Sequence, residues 1–276
     1  MDRYRFSVSM CVYGGDDATN FDLALESVYN QTLPPDEVVL VVDGPVPDMI
    51  DEVIKKYEKH NGFKVVRLAE NSGHGEARRI GLDNCSNELV ALMDSDDISV
   101  RDRFEKQICV FRNDEFVSIV GGQIKEFIDT TENVVGMRNV PLKDAEIKSY
   151  MRKRCPMNQV TVMFKKSDVK SVGGYIDWYC EEDYYLWIRM ALAGLKFANI
   201  DSNLVYVRVG KEMYQRRGGL KYFVSEAKLQ KYMLDNDVIN FVTYAVNVTE
   251  RFILQVLIPN KLRGWIFQKF ARNKEE

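Results

Sequence analysis

Apolar runs and helical spacings alternate along the N-terminal part of the chain. FSVSMCVY, from Phe6 to Tyr13, is a short apolar, β-branched run that closes at Gly14-Gly15 and predicts a strand. Leu23, Leu25, Val28 and Tyr29 then recur at roughly helical spacing until Pro34-Pro35 stop the element. EVVLVVD, ending at Asp43, is a near-continuous apolar run of the kind expected of a strand covered on both faces. A second helical stretch, the strand FKVVRLA, a helix from about Glu76 to Asn84 and the strand ELVALMD follow. Short apolar strands separated by helices predict an α/β fold with a Rossmann-like, mostly parallel central sheet flanked by helices. In such sheets ligands gather beyond the carboxyl ends of the strands.

The polar residues at those ends are the candidate chemistry. Asp43 closes its strand before Gly44-Pro45, where its carboxylate can accept from a base imide N–H or simply initiate a turn. NSGHGEARR, Asn71 to Arg79, joins a glycine-rich connection to a helix whose N–H groups and dipole favour an anion, with Arg78 adding a fixed charge. The segment has neither GxGxxG spacing nor the GK[ST] of a P-loop, and taken alone it reads first as an ordinary connection with a surface arginine. ELVALMDSDD runs a buried strand straight into Asp94, Ser95, Asp96 and Asp97. Three carboxylates so close repel one another unless a cation offsets them. Hard oxygen ligands suit Mg2+ or Mn2+ completed by substrate phosphates, whereas capping of the next helix explains one aspartate and not three. In EEDYYLWIRMALAGL, the apolar stripe Leu186, Trp187, Met190 and Ala191 predicts a helix opened by Glu181, Glu182 and Asp183. Those acids either complement the helix dipole or supply a general base.

Composition narrows the picture. The chain has 276 residues, 46% hydrophobic and 29% charged, which suits one large α/β domain with or without a helical appendage. A net charge of −3 gives no support to a nucleic-acid partner. The five scattered cysteines contain no CxxC pair, which argues against a disulfide framework and for a reducing compartment. The first apolar run breaks too early for a signal peptide, and no run reaches the ~18 residues of a spanning helix, so a cytoplasmic protein is expected. Between Arg251 and Lys274 lie Arg251, Lys261, Arg263, Lys269, Arg272 and Lys274 without an acid, interleaved with Phe252, Ile253, Trp265, Ile266 and Phe270. Such basic amphipathic character suits the inner face of the cell membrane, the plain alternative being a helix packed on the domain with its cations in water.

In their order and spacing these segments resemble family-two glycosyltransferases of the GT-A fold, in particular the bacterial exopolysaccharide and O-antigen subgroup. The resemblance spans about residues 6 to 235 through FSVSMCVY, LALESVYNQTLPPDEVVLVVDGP, NSGHGEARRIGLDNC, LVALMDSDDISVRDRF, VGGY, EEDYYLWIRM and MYQRRGG. It implies a transferase domain over residues 1–235 and an inverting reaction, while the pattern of the tail itself gives a C-terminal amphipathic helical segment over 236–276. It also implies a UDP-sugar donor, a lipid-linked saccharide acceptor and Mn2+ or Mg2+. Asp43 then matches the residue that reads the uracil ring and Arg78 the arginine beside base and phosphates, while Cys11 and Tyr13 line the nucleotide. Asp94 matches the first acid of the DxD motif, Ser95 counts with the donor-binding residues, and Asp96 holds the metal. Asp183 matches the general base, with Glu182 beside it. The chain has Gln159 where a histidine is common and no histidine after the strand at Leu204 to Val209, so Arg216 and Arg217 are assigned to the released phosphate.

Three other functions fit parts of the pattern. A sugar-nucleotide nucleotidyltransferase needs a basic phosphate loop after its first strand, where this chain has the acidic CVYGGDDATN. A haloacid-dehalogenase-like phosphatase places its DxD on the first strand, whereas here it follows the fourth. A non-catalytic nucleotide- or carbohydrate-binding protein has no use for Asp183.

Overall fold

The computed structural model describes residues 4–210 and 218–258. The N-terminal half alternates as the patterning predicts: β1 (Phe6–Tyr13), α1 (Ala18–Tyr29), β2 (Glu37–Asp43), α2 (Asp48–Tyr57), β3 (Phe63–Arg67), α3 (His74–Asn84) and β4 (Leu89–Met93). Beyond it come β5 (Ile98–Ser99), α4 (Arg103–Asn113), β6 (Val117–Phe127), β7 (Val134–Arg138), α5 (Asp144–Met151) and a 3-10 turn at Gln159–Thr161. β8 (Met163–Lys165), α6 (Lys166–Ser171), α7 (Glu182–Leu192) and β9 (Lys196–Arg208) complete the sheet region. The chain closes with α8 (Leu220–Asp235), α9 (Phe241–Phe252) and a π-helical turn, Ile253–Leu257.

One nine-stranded sheet runs in the order β3-β2-β1-β4-β8-β6-β9-β5, with β7 added on β6. Strands β3, β2, β1 and β4 are mutually parallel. Past β4 the sheet becomes mixed: β8 runs antiparallel to β4 and to β6, while β6 and β9 are parallel. Register places the site. Tyr13 lies opposite Asp43 and Met10 opposite Met93, so β1, β2 and β4 end at one edge.

Alternation along the strands divides the core between the two faces of the sheet. Phe6, Val8, Met10 and Val12 of β1 pack with Val38, Leu40 and Val42 of β2 and the apolar stripes of α1, α2 and α4. Val39, Val90, Leu92 and Phe164 face the other way, against Trp187, Leu186 and Ile188 of α7. Two local devices set the edge that matters. A β-carbon on Gly81 would collide with the Ser9 hydroxyl, so glycine lets α3 lie directly on β1. Buried Arg103, lowered to about 9 by its desolvation, donates from Nη2 to the Leu92 carbonyl at 2.7 Å and from Nε to Gln107 at 3.1 Å. Gln107 in turn donates to the carbonyls of Val120 and Thr161. That network pins the end of β4 from behind.

After a turn over residues 236–240 the chain is helical from Phe241 to Leu257, and α9 packs on α8 through polar groups. Among the described residues no helix is long and apolar enough to cross a membrane. Arg216, Arg217 and the basic tail from residue 259 lie outside the described residues.

Candidate active site

At the end of β2, Asp43 is buried and its carboxylate is used by the neighbouring loop. Oδ1 accepts the Ser72 N–H at 2.6 Å and Oδ2 the Gly73 N–H at 3.1 Å. Gly44 makes this approach possible, since at φ +87° a β-carbon would meet the Asn71 nitrogen at 2.7 Å. Asp43 therefore fixes the turn that starts α3, and the carboxylate's remaining lone pairs are what it has to offer a base. Asp43→Ala should destabilise the nucleotide-free protein by about 1–3 kcal/mol, because two charge-assisted bonds are lost. Denaturant melts without nucleotide check this; an unchanged midpoint would leave Asp43 as a ligand contact only.

One turn into α3, Arg78 is buried and remains charged, because Asp94 and Glu182 oppose the desolvation that disfavours its guanidinium. Its Nη1 donates to Glu182 at 2.8 Å and its Nη2 to Asp94 at 3.1 Å. A single side chain thus joins the end of β4 to the start of α7. Half-buried Cys11 lies in the same field, its thiol pushed up to about 12 chiefly by burial. The chemistry open to a protonated thiol there is packing against a ligand. Tyr13 is exposed at the rim, its ring over Gly15, where a β-carbon would strike it.

The carboxylates after β4 divide their tasks. Asp97 is buried and accepts the Arg208 N–H at 2.8 Å, tying this loop to the end of β9; it is structural. Asp94 is on Arg78. Asp96 is raised to about 6, first by burial and then by Asp94 and Asp16. Asp16 was not singled out by the sequence pattern. Its neighbour Asp17 caps α1 by accepting the Asn20 N–H at 2.9 Å, while Asp16 turns to the site and accepts the Ser95 hydroxyl at 2.7 Å. Ser95 is therefore held by Asp16. An acid directly after Gly14-Gly15, at the carboxyl end of β1, was the available signal. His74 is also new to the site, its imidazole lowered by burial and by Arg78.

Across the cleft, Asp183 sits in the first turn of α7 and accepts the Tyr184 N–H at 2.7 Å. Burial, and then Glu182, raise its carboxyl to about 6 against the opposing charges of Arg78 and Arg138. Gln159 donates to the Tyr175 hydroxyl at 3.4 Å, leaving its own buried carbonyl oxygen without a partner. The preceding turn is braced by α8. Tyr222 donates to Glu181 at 3.0 Å, Ser225 to the Tyr179 carbonyl at 2.6 Å, and Trp178 to the Ser225 carbonyl at 3.3 Å. Buried Glu181 is raised well above the usual carboxylate range by desolvation and by Glu226. No sequence pattern announced this brace, because its partners are some forty residues apart.

Mg2+ or Mn2+ suits the acids after β4. Asp96 is desolvated among like charges, the condition a cation relieves. Among the described residues no three His, Cys, Asp or Glu side chains form a metal cage by themselves. That fits an ion held by one or two carboxylates and completed by phosphate and water.

The model of glycosyl transferase family 2 matches residues 7–171, more than half of the chain. The chain belongs to that family. Among the family-2 relatives, an uncharacterized glycosyltransferase of Haemophilus influenzae is 38% identical over 97% of this chain and 99% of its own. The UDP-Gal:alpha-D-GlcNAc-diphosphoundecaprenol beta-1,3-galactosyltransferase of Escherichia coli is 34% identical over 98% of each chain. The amylovoran biosynthesis glycosyltransferase AmsE of Erwinia amylovora is 33% identical over 96% of this chain and 98% of its own. The fold is GT-A. S. aureus TarS 1-349 in complex with UDP-GlcNAc superposes with a TM-score of 0.65 at 18% identity, covering 90% of this chain and 72% of that one. The mannosyltransferase PcManGT from Pyrobaculum calidifontis, in complex with GDP-Man and Mn2+, gives 0.65 at 16% identity, covering 95% and 72%.

Proposed function

We propose that this family-2 glycosyltransferase is metal-dependent and inverting, and that it moves a hexose or N-acetylhexosamine from a UDP-sugar to a hydroxyl of a polyprenyl-diphosphate-linked saccharide. Its setting would be O-antigen, capsule or exopolysaccharide synthesis at the inner face of the cell membrane. The observation that carries the reading is the Arg78 bridge, which puts the DxD carboxylates and the acids of α7 in one cleft. Support for the donor and acceptor classes comes from the name of the Escherichia coli relative.

In this reading Asp43, Cys11 and Tyr13 line the nucleotide, and Asp94 and Ser95 face the ribose and donor sugar. Arg216 and Arg217 are assigned to the diphosphate. Asp96 would hold Mn2+ or Mg2+, which when bound neutralises charge on the departing diphosphate. Above about pH 6 Asp183 is ionised and takes the proton of the acceptor hydroxyl, with Glu182 beside it. The acceptor oxygen bonds to the anomeric carbon from the face opposite the UDP oxygen, whose bond to that carbon breaks, so configuration inverts.

Calorimetric titration with UDP, with and without Mn2+, tests the donor site. Binding should strengthen with the metal, and Asp96→Ala should remove that gain, weakening UDP roughly tenfold or more in the presence of Mn2+. Metal-independent UDP binding, or an undiminished gain in the variant, would refute the assignment.

A further inference from the structure

Helix α9 is held to the protein mainly by its polar side, with Tyr244 packed on the core beside it. Asn247, Arg251 and Gln255 stand four residues apart on one face. Asn247 donates to Gln230 and to the Arg152 carbonyl, both at 2.8 Å. Arg251 pairs with Glu226 at 3.3 Å and donates to the Lys153 carbonyl at 2.8 Å, while Gln255 donates to Glu226. The opposite face carries Val242, Val246, Ile253 and Leu257, with Phe241 and Phe252 at its side, and only Thr249 and Glu250 interrupt it. Val242 is 69% and Leu257 60% exposed. A helix on a globular surface ordinarily shows the reverse arrangement, apolar inward and polar outward. The Phe223 and Phe252 rings meet at 5.3 Å, so α8 brings exposed Leu220 and Val224 alongside and widens the apolar face.

We infer that this outer face of α9 docks on the surface of an anionic lipid bilayer. Its chemistry fits insertion of a shallow apolar stripe with cations at the edge. The cations are exposed Arg152 and Lys153, whose backbone carbonyls α9 itself grips. No acid among the described residues forms an ion pair with either of them. Past Ile258 the sequence continues with Lys261, Arg263, Lys269, Arg272 and Lys274 before its first acid, Glu275. A second copy on the same face would bring Arg152 and Lys153 of both copies near one another, and like charges across an interface oppose pairing. The inference deepens, and rests on, the reading of a lipid-linked acceptor by naming the surface that brings the enzyme to it.

The test is flotation of the full-length chain with phosphatidylcholine vesicles, with and without phosphatidylglycerol, in the absence of donor and acceptor. The wild type should float with the anionic vesicles. V242E combined with I253E should weaken this roughly tenfold or more, and R152E with K153E should reduce the dependence on phosphatidylglycerol. Unchanged UDP affinity in both variants shows that they are folded. Undiminished flotation of the V242E/I253E chain, or loss on truncation after Ile258 with no loss in that variant, would overturn the inference. So would a lipid-free dimer that V242E/I253E dissociates, which would make the face a self-association surface. A chain that floats as expected yet transfers no sugar to any lipid-linked acceptor would refute the proposed acceptor and leave the docking face standing.

Discussion

Asp183→Asn is expected to lower kcat by roughly 1,000-fold while leaving UDP affinity within about twofold, since a positioned base contributes about 100- to 10,000-fold and does not touch the nucleotide. The same carboxylate sets the pH dependence. Its pKa is raised to about 6, so turnover in the wild type should climb as pH rises through about 6 and level off above it. Glu182 is the second cause of that rise after burial, so Glu182→Gln should move the acid limb to lower pH. Stability should respond in the opposite sense. A carboxyl of ordinary pKa 3.8 raised to about 6 by folding favours the native state least where it is ionised. The penalty is absent below about pH 4, grows up to about pH 6 and is full above, where Asp183→Asn should melt higher than the wild type. A variant that retains turnover, or a rate profile flat across this window, would remove Asp183 from the role of base.

Arg78→Ala carries the largest expected loss of stability. The arginine side chain is 11% exposed, Glu182 10% and Asp94 38%, so its removal strands chiefly Glu182 in a poorly solvated place. Breaking a buried pair in this way costs about 3 kcal/mol, which for a chain of this size lowers Tm by roughly 6–10 °C. The discriminating variant is Arg78→Ala with Glu182→Gln. Removing the stranded charge should restore about half of the loss, because residues in one ion-pair network are not additive. Arg78 also holds the Asp183 carboxyl down, so the acid limb of the rate profile should move above 6 in the single variant. If the double variant melted no higher than Arg78→Ala, the loss would belong to packing and not to stranded charge.

The sequence made the donor half of the fold readable because β2 and β4 are continuous apolar runs, β1 is a mainly apolar one, and Gly and Pro punctuate them. Helix α3 starts at His74, before the expected Glu76, because Gly73 at φ +84° supplies the turn into it. The other half is harder to read for a physical reason. Strand β6 carries Gly121, Gly122, Gln123 and Glu126 in buried positions, and β9 passes through Asn199, Asp201 and Ser202, so neither shows clean alternation. What settles such a group is tertiary, as when Gln123 donates to the Val140 carbonyl at 3.1 Å and accepts the Val140 N–H at 2.7 Å. The site shows the same division. Asp94, Asp96 and Asp183 follow from strand ends and a helix start, whereas Asp97 and Asp16 exchange expectations once β9 and Ser95 are in place.

The brace between α8 and the turn before Asp183 has a thermodynamic consequence. Glu181 is held by Tyr222, and Glu226, one helical turn further along α8, is held by Arg251 of α9. Two events at opposite ends of this chain of contacts are linked to the extent that each changes how α8 sits between them. By reciprocity, if an acceptor that settles the turn tightens binding at α9 by some factor, then binding at α9 tightens the acceptor by the same factor.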